Sequence, residues 1–226
     1  MDQTGPTALV TGGSGGLGRA IGRHLLAAGA RVALLGRSDA PLKEAAGELG
    51  VLGVRADVTR RDEVEAAVEA VRAELGPVTW LVNAAGIAEA SPLLPPDDAL
   101  WDRTLAVNAT GAWITATTVV PDMLAQRTGA IVNVASTAAL RGYRYTAAYV
   151  ASKHAVLGLT RALAEDLASK GVHVTAVCPG FLDTPMTDRT VARIVHATGQ
   201  SKSEARAALA SQNASGTLVS PDAEAT

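Results

Sequence analysis

The sequence predicts a doubly wound α/β domain, a parallel sheet with helices on both faces. Three observations lead there. Short apolar runs alternate with longer amphipathic segments almost from end to end of the 226 residues. Each run is continuously apolar rather than alternating, as strands buried on both faces are. A glycine-dense turn joins the first run to the first amphipathic segment.

The runs are TALVTG (Thr7–Gly12), RVALLG (Arg31–Gly36), VLGVRADV (Val51–Val58), TWLVNAAG (Thr79–Gly86), GAIVNVAS (Gly129–Ser136) and VHVTAVCPG (Val172–Gly180). Between them, Arg61–Leu75 sets Val64, Ala67, Val68, Val71 and Leu75 on one helical stripe, with acids and arginines opposite. Asp97–Gln126 and Thr146–Ser169 are longer helical segments. Strands that alternate with helices imply right-handed crossovers and a parallel sheet. The whole chain, 1–226, is expected to be one catalytic domain, with residues 181–213 as a lid over the pocket. Within that lid, helices are expected around Asp188–Ala197 and Ser201–Ser211. The tail 214–226 is read as either disordered or the end of a shortened chain, and Ser220-Pro221-Asp222 carries the cap, proline and acid of a helix start.

Composition narrows the function. A net charge of −2 offers no electrostatic footprint for nucleic acid or an anionic membrane. No apolar stretch approaches the ~20 residues that span a bilayer, and MDQTGPTALV lacks the pattern of a signal peptide. The single cysteine, Cys178, has no internal disulfide partner, which favours a reducing compartment and a cytoplasmic protein. It reads as a small buried apolar residue, and with the four histidines it forms no metal-ligand spacing.

TGGSGGLG (Thr11–Gly18) lies between the first strand and the first helix. Glycines there permit a tight turn and close approach of a diphosphate to the positive end of the helix, or serve only as a connection. The second strand ends Gly36-Arg37-Ser38, where an acid would hold a ribose 2′-hydroxyl and a basic residue a 2′-phosphate. Arg37 and Ser38 therefore favour NADPH (NADP), with NADH (NAD) the alternative; Asp39, before Ala40-Pro41, suits a helix cap. All three tyrosines fall in RGYRYTAAYVASK (Arg141–Lys153), and only Tyr149 has a lysine, Lys153, four residues on and on the same helical face. A neighbouring ammonium favours a phenolate and is expected to draw its pKa towards working pH. Ser136 ends the fifth strand, at the edge where doubly wound sheets bind ligands. Asn108, polar among apolar neighbours, is either functional or satisfied locally. His154 points elsewhere on its helix and is not read as a base.

These motifs resemble the short-chain dehydrogenase/reductase family over Thr7–Thr187: TGGSGGLG, Asp57-Val58, NAAG (Asn83–Gly86), Asn108, Ser136, YVASK, and Pro179-Gly180 with Thr184. The resemblance implies a Rossmann-like fold and four catalytic positions, Asn108, Ser136, Tyr149 and Lys153, with Asn108 holding a water that resupplies protons past Lys153. It also implies a cofactor set: Gly12, Ser14, Gly15, Gly16, Leu17, Gly18, Arg37, Ser38, Asp57, Val58, Asn83, Ala84, Gly86, Tyr149, Lys153, Pro179, Gly180, Leu182 and Thr184. Asp57 and Val58 are to meet the adenine and Lys153 the nicotinamide ribose. Tyr143 and Tyr145 then line the substrate entrance or pack. The segment from PGFLDTPM is similar to bacterial 3-oxoacyl thioester and polyketide ketoreductases, which implies an NADPH-dependent carbonyl reductase. Arg189, Arg193, Lys202 and Arg206 could meet the phosphates of a thioester carrier, or form a solvated face. An NAD-linked 3-hydroxyacyl or secondary-alcohol dehydrogenase is the alternative within the family, and a non-catalytic dinucleotide sensor or scaffold the alternative outside it. The family's habit implies a homo-oligomeric dimer or tetramer; its usual seventh strand has no counterpart after Asp222.

Overall fold

A computed structural model describes residues 5–225; the first four residues, part of the stretch read for a signal peptide, and Thr226 lie outside it. Strands β1 (Thr7–Thr11), β2 (Arg31–Gly36), β3 (Leu52–Arg55), β4 (Val78–Asn83), β5 (Gly129–Val134) and β6 (Val172–Val177) form a parallel sheet in the order β3-β2-β1-β4-β5-β6. The third strand is shorter than its apolar run: it ends at Arg55, and the Thr59 amide donates to Asp57 Oδ1 in the turn that follows. The order reverses between β1 and β4, so the loops leaving those strands diverge and open a crevice at their carboxyl ends.

The helices cover both faces, as the apolar runs require. On one side, α3 (Arg61–Leu75) and α5 (Gly111–Gln126) bury Val64, Val68, Val71, Val119 and Met123 against Leu9, Leu81 and Ile131. On the other, α1 (Gly16–Ala27) and α2 (Asp39–Leu49) pack Ile21, Leu42 and Ala45 on Val10, Val32 and Leu34. Ser38 stands at the α2 N-cap. Asp39, expected as the cap, is instead the first helical residue and pairs with Lys43 one turn on.

The segment 97–126 is helical as expected but not uniform. Asp97 caps α4 (Asp98–Leu105) by accepting from the Leu100 amide at 2.9 Å. A π-helical turn, Ala106–Thr110, then separates α4 from α5. Such a turn rotates the side chains it carries relative to a regular helix, and Asn108 lies within it. α6 (Ala147–Leu167) follows β5.

A polar ladder runs through the interior between β4, β5 and the helices above them. Asn83 Nδ2 donates to Asn133 Oδ1 at 2.9 Å, and Asn133 Nδ2 to Thr160 Oγ1 at 2.9 Å. Thr115 Oγ1 donates to Asn83 Oδ1 at 2.6 Å. Every member is buried and paired, so the ladder fixes how α5 and α6 seat on the sheet without orphaned groups.

Beyond β6, α7 (Pro185–Thr198) and α8 (Lys202–Ala210) share a small apolar cluster of Val191, Ala205 and Leu209 with Phe181 and Leu218. Ser201 and Glu204 form a reciprocal capping box at the start of α8. Residues 214–225 take defined positions. Val219 pairs with Leu182, and Ser220 caps a short helix, α9 (Pro221–Glu224), whose Asp222 meets Arg23 of α1 at 2.7 Å.

Replacing Asn133 by Ala removes one buried partner each from the Asn83 carboxamide and the Thr160 hydroxyl, which keep the carbonyls of Ala112 and Val156. Urea unfolding of Asn133→Ala is expected to show a loss of about 2 kcal/mol relative to the parent.

Candidate active site

The crevice holds a cavity of about 570 Å³ that runs from the glycine turn to Tyr149. Gly12 has φ +68°, and a Cβ there would stand 2.8 Å from the Ala84 carbonyl oxygen. A Cβ at Gly18 would collide with the Gly12 carbonyl. The turn is thus pressed against the start of the β4 loop, where Thr11 Oγ1 accepts from the amides of Ala84 and Ala85, both at 3.1 Å. With Gly15 as N-cap and no acid in its first turn, α1 presents free amides and a positive end to the cavity. This cradle, too tight for side chains, fits the diphosphate of a dinucleotide.

Gly12, Ser14, Gly15, Gly16, Leu17 and Gly18 line that end of the cavity; Arg37, Ser38, Asp57 and Val58 line it just beyond the ends of β2 and β3. Ala84, Gly86, Pro179, Leu182 and Thr184 line the middle, as the sequence implies. Asn83 and Gly180 lie off its wall. The Asn83 carboxamide is consumed by the interior ladder. Gly180 is needed because Asn213 crosses over it, donating to the Phe181 carbonyl at 2.9 Å and accepting from the Phe181 amide at 2.8 Å.

At the far end, Ser136, Tyr149 and Lys153 reach the cavity together. Ser136 caps a single 3-10 turn (Thr137–Ala139) through its hydroxyl, which accepts from the Ala138 amide at 3.1 Å. Lys153 is 5% exposed. Its Nζ donates to the Val134 carbonyl at 2.7 Å and lies 5.8 Å from the centre of the Tyr149 ring. Burial lowers the Lys153 amine to about 8, with the Cys178 thiol a smaller, opposing influence.

The expectation that Lys153 draws the Tyr149 phenol down is corrected. Burial pushes the phenol above its ordinary value; the Ser136 hydroxyl opposes that rise, and Tyr143 adds to it. Desolvation of a phenolate in this recess is the largest influence, and the Lys153 amine, held on the Val134 carbonyl, lies 5.8 Å from the ring centre.

Asn108 is buried, and its side chain is tied to the loop after NAAG. Oδ1 accepts from the Ile87 amide at 2.8 Å, while Nδ2 donates to the Ile87 carbonyl and to Ser152 Oγ, each at 2.9 Å. Ser152 and the Val134 carbonyl were not singled out from the sequence. Ser152, three residues after Tyr149 and bonded to its carbonyl, carried a spacing signal; a backbone carbonyl carries none. Gly86 sits between the two polar groups, since a Cβ there would lie 3.3 Å from Asn108 Oδ1 and 3.7 Å from Lys153 Nζ.

Tyr143 packs. Its hydroxyl bonds Thr137 Oγ1 and Arg141 Nε, and its ring meets Phe181 edge-on at 6.0 Å. Tyr145 is exposed with φ +63°, its carbonyl held by the Ser91 amide. His154 is exposed, with Nδ1 2.9 Å from the Val150 carbonyl oxygen. Two of the candidate phosphate-binding cations are engaged internally: Arg193 with Glu89 at 3.2 Å, and Arg206 with Asp183 and Asp188.

A family model described as short chain dehydrogenase matches residues 6–194. The chain belongs to that family. As a short chain dehydrogenase it is an oxidoreductase acting between CH–OH and C=O groups. It is 43% identical over 189 residues to a 2-(R)-hydroxypropyl-CoM dehydrogenase of Xanthobacter autotrophicus, covering 80% of this chain and 76% of that one. It is 40% identical over 191 residues to the granaticin polyketide synthase putative ketoacyl reductase 1 of Streptomyces violaceoruber, covering 81% and 70%. Among solved structures, an actinorhodin polyketide ketoreductase variant with NADPH superposes with a TM-score of 0.94 at 37% identity, over 99% of this chain and 88% of that one. An L-sorbose reductase of Gluconobacter frateurii with NADPH and L-sorbose gives 0.90 at 30%, over 100% and 89%. No helix among the described residues is long and apolar enough to cross a membrane.

The buried amine makes this short chain dehydrogenase's stability depend on pH in a definite sense. With its folded value near 8, below the ordinary 10.5, Lys153 binds more protons unfolded than folded between those values. Its destabilising effect is full below about 8 and fades as pH climbs towards 10.5. Urea melts across that window are expected to show stability rising with pH more steeply in the parent than in Lys153→Met.

Proposed function

We propose that the chain is an NADPH-dependent carbonyl reductase whose substrate is a 3-oxoacyl thioester or a polyketide-like ketone. The observation that carries this reading is the meeting of the Ser136 and Tyr149 hydroxyls above a buried Lys153, at one end of a cavity that continues to a side-chain-free diphosphate cradle. A binder with no turnover has no need for that combination of acid, hydrogen-bond donor and buried amine.

When bound, the reduced nicotinamide supplies hydride to the carbonyl carbon. Ser136 and Tyr149 hold the carbonyl oxygen, and Tyr149 gives it a proton as charge develops there. A phenol raised by its surroundings is kept protonated at neutral pH, which suits the reductive direction. Lys153, fixed on the Val134 carbonyl, would hold the nicotinamide ribose and return a proton to the phenol. The gap at Gly86 suits a water bridging Asn108 Oδ1 and Lys153 Nζ, so that Asn108 both positions the Ile87 loop and feeds protons inward.

NADPH is favoured because Arg37 is exposed at the adenosine end with Ser38 beside it. The reading as an NAD-linked dehydrogenase draws on Asp57, whose Oδ2 lies 3.9 Å from Arg37 Nη1 and offsets part of its charge. The relatives named as polyketide ketoreductases support the substrate class.

Three measurements test these assignments. Tyr149→Phe should lower kcat for ketone reduction about 10²–10⁴-fold while NADPH still binds; near-parent turnover sinks the mechanism. Arg37→Ala should weaken NADPH but not NADH, and equal losses for both would move the 2′-phosphate contact elsewhere. Gly86→Ala should lower kcat by a larger factor than it weakens NADPH if a water fills that gap.

A further inference from the structure

We propose that Arg189 is a cofactor-clamping residue, closing over the dinucleotide's diphosphate from the side opposite the glycine turn. This rests on the dinucleotide reading above and adds a residue to it. Among the four lid cations, Arg193 and Arg206 are held by carboxylates of the chain, whereas Arg189 has no ion pair among the described residues and lines the cavity.

Position favours the diphosphate end. The start of α7 lies on the glycine turn: a Cβ at Gly16 would be 3.2 Å from Thr184 Cγ2 and 3.6 Å from Pro185 Cδ. Arg189 follows Pro185 by one helical turn and shares its face. A helical side chain covers the turn N-terminal to its own Cα, which sends the Arg189 guanidinium back along α7 towards Gly16.

Charge favours it too. A diphosphate carries about two negative charges, and the end of α1 answers with roughly half a positive one. Arg19, the basic residue beside the turn, is already flanked by Glu44 at 2.9 Å and Glu48 at 3.1 Å. Arg23 is paired with Asp222 and Glu48. Arg37 stands at the adenosine end, and Lys153 is held on Val134. Arg189 is the cavity cation left to balance the diphosphate.

The test is calorimetric titration of the full chain with NADPH, NADH and adenosine 2′-monophosphate. Arg189→Ala is expected to weaken NADPH and NADH alike, by about tenfold, and to leave adenosine 2′-monophosphate unchanged. Arg189→Glu should weaken both dinucleotides further. The dependence of affinity on salt should be shallower in Arg189→Ala than in the parent. Because the residue is exposed, the variants should melt with the parent, which separates a lost contact from a lost fold. NADPH affinity within about twofold of the parent overturns the proposal. So does a loss confined to NADPH, or one shared by adenosine 2′-monophosphate, since either puts Arg189 on the 2′-phosphate. A parent chain that binds neither dinucleotide removes the proposed function, and the clamp with it.

Discussion

A buried ammonium is the constraint around which this site is arranged. An unpaired cation cannot stay charged in a core without cost, and among the described residues Lys153 has a single hydrogen-bond partner, the Val134 carbonyl. That contact ties α6 to the end of β5 and so sets where the Tyr149 phenol and the Ser136 hydroxyl meet. The polar ladder through Asn83, Asn133, Thr115 and Thr160 supports the same geometry from below, one strand over. Helix seating and catalytic geometry are therefore one problem, solved by side chains that hydrogen-bond to strand ends.

The two ends of the cavity follow different electrostatic rules. At the glycine turn, the backbone amides and the positive end of α1 supply much of the charge, because the close approach of Gly12 and Gly18 leaves no room for a Cβ. At the catalytic end, low dielectric raises a phenol and lowers an amine. Both shifts favour the neutral forms, the phenol more firmly protonated and the amine more readily deprotonated than in water. The same burial that costs stability holds the acid in its donating state.

Much of this was legible in the sequence. Continuous Val/Leu/Ile runs could only be strands covered on both faces, and the stripe Val64, Ala67, Val68, Val71 placed α3 residue for residue. The i,i+4 spacing of Tyr149 and Lys153 and the strand-end place of Ser136 were enough to bring three groups to one cavity. Most of what could not be read depends on partners distant in sequence, and the rest on a boundary one residue wide. Asn83 faces the interior because Asn133, fifty residues on, waits for it. Asp39 yields the cap to Ser38, a matter of one residue's backbone angles. The direction of the Tyr149 shift needed the depth of its recess, and the internal pairing of Arg193 and Arg206 needed Glu89 and Asp183 in place.

Asn213 ties the two ends of the α7–α8 excursion together, bonding Phe181 on one side and Thr217 on the other. The excursion from Phe181 to Thr217 is thereby fastened at its stem. Much of the entropy of bringing its ends together is then lost on folding rather than on each encounter with a ligand.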